Sequence, residues 1–164
     1  MIADSTYDVG ELVGRPRAGL GAGFLAAVVV LAVLAGLGRM DAAIAWLRDV
    51  GGVIVPASAR TPATLLSTGL ALHFAVGGVF GALYAACQQR ASRGGLIAVG
   101  IFYGFVLWLG GDLILARWLR IGPRLLQTWT GTGAIVAYGL TLSVWAMREQ
   151  QVSARLRPGG RPVD

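Results

Sequence analysis

Lysine is missing from this chain, and cysteine and histidine occur once each among 164 residues. A single cysteine, Cys87, excludes an intrachain disulfide, and with no CxxC partner it offers neither a metal site nor a redox pair. A single histidine, His73, cannot supply bis-histidine haem ligation, an HExxH zinc motif or a metal cluster. No serine–histidine–acid arrangement is present either. The run GLGAG from Gly19 lacks both a preceding strand and the GK[ST] ending of a phosphate loop. The chain is therefore expected to hold no metal and no cofactor, and not to be an enzyme. Charged residues amount to only 13%, eight of them acidic. With so few, a water-soluble surface over this many apolar residues is excluded.

What the chain has instead is long apolar runs. Hydrophobic residues make up 55%, and the mean hydropathy is +0.67. Four runs are predicted to span a bilayer, at about residues 18–37, 65–87, 96–116 and 125–147. Twenty helical residues at ~1.5 Å each cover the ~30 Å hydrocarbon core. Only one carboxylate, Asp112, falls inside any of them. The first run is read as a retained helix rather than a signal peptide. It is too long for an h-region, lacks an A-x-A site and follows Asp4, Asp8 and Glu11.

The net charge is +6, and all fourteen basic residues are arginine, in keeping with GC-rich bacterial coding. They cluster at span ends and in loops, which points to a lipid bilayer as partner and not to nucleic acid. Eight arginines fall on the side of the two termini and six on the other. The positive-inside rule then places both termini in the cytoplasm, the membrane being the bacterial inner membrane. Residues 1–17 read as a polar tail and 148–164 as a disordered basic tail. The first loop contains Asp41 as a helix cap, followed by Ile44, Trp46, Leu47 and Val50 at helical spacing. Gly51, Gly52 and Pro56 are expected to end this short interfacial helix.

Two four-residue stripes draw notice. His73, Gly77, Gly81 and Ala85 share one face of the second span, and Gly100, Gly104, Trp108 and Asp112 share one face of the third. Glycines so spaced allow close helix packing, so the second and third spans are expected to pair through Gly77, Gly81, Gly100 and Gly104. His73 sits ~12 Å into its span and Asp112 ~9 Å from the matching end. Gln127 opens the fourth span at the same depth, which predicts an intramembrane polar cluster of His73, Asp112 and Gln127. Tyr84, Tyr103 and Tyr138 read as packing or interface residues. A faint internal echo aligns Phe80-Gly81 with Tyr138-Gly139 at a shift of 58 residues, and Gly19-Leu20 with Gly95-Leu96 at 76. A duplicated helical hairpin would produce such a pattern.

The stretches HFAVGGVFGALYA from His73, GIFYGFVLW from Gly100 and AYGLTLS from Ala137 are similar to the small four-span bacterial inner-membrane proteins of unknown function of the YagU-like kind. The resemblance covers roughly residues 65–147. It implies a fold and a compartment but no activity. Where such proteins often carry a further histidine, this chain has Asp112 and the segment Ala134–Tyr138. The sequence thus predicts an all-α integral membrane four-helix bundle. Its expected role is that of a non-enzymatic structural or accessory subunit, partnered by other membrane subunits or by copies of itself. The alternative is a small oligomeric transporter or proton-linked permease using His73 and Asp112.

Overall fold

The computed structural model describes residues 9–87, 92–111 and 128–155, with side chains described over 16–87, 92–111 and 128–152. It is all-α. Five helices follow one another among the described residues: α1 (Val9–Gly36), α2 (Met40–Ile54), α3 (Pro62–Cys87), α4 (Arg93–Gly110) and α5 (Trp129–Arg155), with a 3-10 turn at Ala57–Ala59. Among the described residues there is no strand. Three helical segments among the described residues are long and apolar enough to cross a membrane: Pro16–Gly36 of α1, α3 and α4. Helix α5 occupies most of the fourth expected span but falls short of that mark. Its opening Trp129-Thr-Gly-Thr-Gly and its Arg148-Glu-Gln-Gln end dilute the apolar middle. Residues 112–116 and 125–127 of the expected third and fourth spans lie outside the described residues.

Both expected tails are partly helical. Helix α1 starts at Val9 and carries Pro16 within it, and α5 continues to Arg155.

Local chemistry explains where the helices stop and start. Gly38 takes a left-handed backbone (φ 66°), which lets Arg39 N–H reach Leu34 O at 2.8 Å and Gly38 N–H reach Ala35 O at 3.0 Å. That double closure ends α1, and glycine adopts the conformation without a Cβ penalty. Asp41 does not cap α2; Arg39 holds the cap position, with no side-chain capping bond. Asp41 sits instead in the first turn, where its charge suits the helix dipole. At the far end Arg60 donates from Nε to Val55 O (3.1 Å) and from its Nη2 to Gly52 O (2.8 Å), satisfying carbonyls that the helix leaves open. Thr61 and Thr64 then cap α3 reciprocally. Each hydroxyl accepts the other's backbone N–H, at 2.9 and 3.1 Å, with Pro62 at the first helical position.

Small residues set the packing. Helix α1 lies between α3 and α5, α4 packs on α5, and α2 packs on α3. On α1, a Cβ placed at Gly19 would stand 2.6 Å from both the Ala85 methyl and the Gly81 carbonyl oxygen. One at Gly23 would press into the Gly77 carbonyl. On α4, Gly100 faces Ser143 and Gly139, and Gly104 faces Ile135. Gly51 does not end α2. It is a buried contact, with the α3 backbone at Leu65 and Gly69 pressed against it.

The glycine seams therefore do not join α3 to α4, as the two stripes predict. Gly77 and Gly81 face α1, while Gly100 and Gly104 face α5. At backbone level α3 and α4 scarcely approach each other. The physical reason is that each stripe has a closer small-residue match elsewhere, Gly19 and Gly23 for α3 and Gly139 for α4.

The two helix pairs also share one contact pattern. Gly19 meets Gly81 and Ala85, as Gly100 meets Gly139 and Ser143. Gly23 meets Gly77, as Gly104 meets Ile135. The shift between α3 and α5 is 58 residues, in line with the sequence echo. Between α1 and α4 the contact register gives 81 rather than 76.

Candidate functional site

Polar side chains inside the bundle are few, and most tie one helix to a backbone carbonyl of another. The buried Tyr138 hydroxyl of α5 donates to Gly77 O of α3 at 2.6 Å. From α4, the Tyr103 hydroxyl donates to Phe80 O at 2.7 Å. Ser143 Oγ, fully buried, lies 2.8 Å from Leu96 O across the α4–α5 seam and 3.1 Å from Gly139 O in its own helix. Such carbonyls already serve their own helices, so these links fasten helices together without leaving backbone groups open. The Tyr84 and Tyr103 rings meet edge-on at 5.2 Å. The Tyr84 hydroxyl, on a side chain only 3% exposed, finds no hydrogen-bonding geometry, although the Ser143 hydroxyl faces it.

These tyrosines form a layer with Ala22, Ala26, Leu96, Leu142 and Ala146. Beyond it, toward the C-terminal half of α1 and the start of α5, lies a cavity of about 830 Å³. All five helices contribute to its described walls, and no charged side chain is among those residues. His73, Trp46 and Tyr138 carry the side-chain polar atoms there. The Tyr138 hydroxyl is engaged, as described.

His73 stands on α3 at the α1 side. Its Nε2 lies 3.1 Å from Ala27 O. A carbonyl only accepts, so Nε2 is the donor. The imidazole packs edge-on against Trp46 of α2 (6.0 Å) and Phe74 (5.4 Å). Trp46 is held there because its helix buries Ala43, Leu47 and Gly51 against the bundle.

Of the expected polar cluster, only His73 is described; Asp112 and Gln127 lie outside the described residues. Among the described residues, no three of histidine, cysteine, aspartate and glutamate come together as a metal site would need. Cys87 is exposed at the end of α3. Sequence reasoning allowed a small polar cavity lined by His73 and Asp112, but missed the apolar character of the cavity beside His73, Trp46 as a wall of it, and the tyrosine-to-carbonyl links. The only signal for the links is that Tyr103 and Tyr138 each lie within an otherwise apolar helical run, where a hydroxyl must find an acceptor. The described walls bring no carboxylate and no thiol to His73.

No family model, no curated protein and no solved structure matches this chain.

Proposed function

We propose that the chain is a four-span bundle of the bacterial cytoplasmic membrane, with both termini in the cytoplasm. It acts without catalysis, as a structural or accessory subunit of a membrane assembly. Helices α1, α3, α4 and α5 are the spans, and α2 is an outer-side helix held on α3.

The observation that carries this reading is the surface of α4. Only Leu96, Gly100 and Gly104 of that helix are buried. Ile97, Val99, Ile101, Phe102, Phe105, Val106 and Leu109 remain exposed, Phe102 at 67%. A helix packed mainly on α5, and touching α3 through Tyr103, leaves a wide apolar and aromatic face, of the kind that marks contact with membrane or with another protein. The small-residue seams are taken up within the chain, so a partner helix would be met by this face.

Gentle extraction from the native membrane followed by native mass spectrometry tests the proposal. A photo-crosslinking residue at Phe102 reports the contact in place. A stoichiometric foreign subunit, crosslinked through position 102, is the expected result. Recovery of the chain alone or only with copies of itself, with lipid as the sole adduct at 102, refutes the accessory role.

A further inference from the structure

Helices α3 and α4 are separated at one end of the bundle, and the space between them is not merely a packing defect. A cavity of about 830 Å³ lies within the usual size of small-molecule sites, which are likewise mostly apolar with a few placed polar groups. Its large apolar lining residues that are about half exposed or more are Val53 and Ile54 of α2, Val76 and Val79 of α3 and Val106 of α4, so it opens through an apolar mouth shared by three helices.

One wall group is set to specify what enters. Because His73 Nε2 donates to Ala27 O, the neutral imidazole keeps its other nitrogen, Nδ1, as a bare acceptor. Nδ1 takes part in no hydrogen bond, and it is not among the sealed, unsatisfied polar atoms of the described residues. It is therefore reachable. An acceptor in an apolar site is matched by a donor and left unmatched by a hydrocarbon, while an ion would meet no countercharge on the described walls.

We propose that this cavity is a binding site for a neutral lipophile that carries a single hydroxyl on an apolar body. The hydroxyl donates to His73 Nδ1, and the apolar body lies along α3 and α4 and leaves by the Val76–Val106 side of the mouth. This site does not depend on the accessory-subunit reading, since it uses the opposite property of the bundle, an interior space rather than an outer face.

His73 is the chain's only histidine, so ring-¹⁵N histidine labelling yields one pair of imidazole nitrogens. The full chain, purified through a histidine-free tag and placed in lipid nanodiscs, is titrated with 1-dodecanol and separately with dodecane. Dodecanol is expected to move the unprotonated Nδ1 resonance in the direction of hydrogen-bond acceptance, saturably, while dodecane leaves it in place. Val76→Trp, which enlarges a half-exposed side chain at the mouth, is expected to abolish the shift although dodecanol still partitions into the bilayer. By direct binding, His73→Phe is expected to weaken dodecanol about fivefold, the worth of one net hydrogen bond, and to leave dodecane unchanged. Three results overturn the proposal. One is a proton on Nδ1 in the free protein. Another is an equal response to dodecanol and dodecane, which would make the cavity a plain acyl-chain niche. The last is a dodecanol shift that survives Val76→Trp.

Discussion

Two glycines of α1, two positions apart, should respond to alanine in opposite directions. Gly21 has no atom within 4 Å of where a Cβ would stand, so Gly21→Ala meets only the helix itself. Relief of glycine's backbone entropy then stabilises the fold by about 0.5–1 kcal/mol. Gly23→Ala gains the same term but drives its methyl into the Gly77 carbonyl and to 3.0 Å from Gly78 Cα. These are backbone atoms, which cannot rotate away, so α1 and α3 must separate. Overpacking of this kind costs about 1–3 kcal/mol, and the rigid partner places it toward the upper end. The net expectation is a loss of about 1–2 kcal/mol for Gly23→Ala. Gly104, the counterpart of Gly23 in the second pair, is less tightly met, with Ile135 O at 2.8 Å and its carbonyl carbon at 3.4 Å. Gly104→Ala should accordingly fall between the other two. Reversible unfolding of the reconstituted protein by SDS in mixed micelles, followed by circular dichroism, measures all three. If Gly23→Ala and Gly21→Ala share one midpoint, α1 and α3 do not meet through Gly23, and the packing order described above is wrong.

Other consequences are simpler to state. Tyr138→Phe removes the 2.6 Å bond to Gly77 O but leaves that carbonyl in its own helix, so the same titration should show a loss of only about 0.5–1 kcal/mol. Arg60→Ala uncovers the Gly52 and Val55 carbonyls, and amide hydrogen exchange at Ile54 and Val55 should quicken several-fold while exchange in α4 stays as it was. Cys87 is exposed at the end of α3 that the proposed topology puts in the cytoplasm. A membrane-impermeant maleimide should label it in inverted vesicles and not in intact spheroplasts; the reverse pattern would invert the topology.

How much of this could be read from the residues depended on the range of the interaction concerned. Three of the apolar segments announce themselves because a bilayer-length run needs only local composition. The His73–Ala85 stripe was legible because a four-residue interval fixes one helical face, and Gly77, Gly81 and Ala85 are buried. Which helix that face meets was not legible. Gly19 and Gly23 offer α3 the same kind of surface as Gly100 and Gly104, and the choice rests on the fit of whole helices rather than on either stripe. Gly51 misled for a related reason. In a loop it would end a helix, but with Gly69 across from it the missing side chain serves as clearance. The size and apolar lining of the cavity had no local signature beyond His73 itself, since it arises where two helices fail to meet.

The separation of α3 from α4 also bears on how the molecule is made. These helices are consecutive along the chain, yet each is matched to a different partner, α1 for one and α5 for the other. By the time α4 leaves the ribosome, α1, α2 and α3 already hold every residue of their shared seams. The second pair then closes on itself and joins the first through the α1–α5 contact and the hydroxyl bonds of Tyr103 and Tyr138 to α3. Such a molecule is expected to assemble as two successive halves. A chain interrupted between Cys87 and Ser92 would leave both glycine seams whole, so two separately synthesised halves should find each other in the membrane.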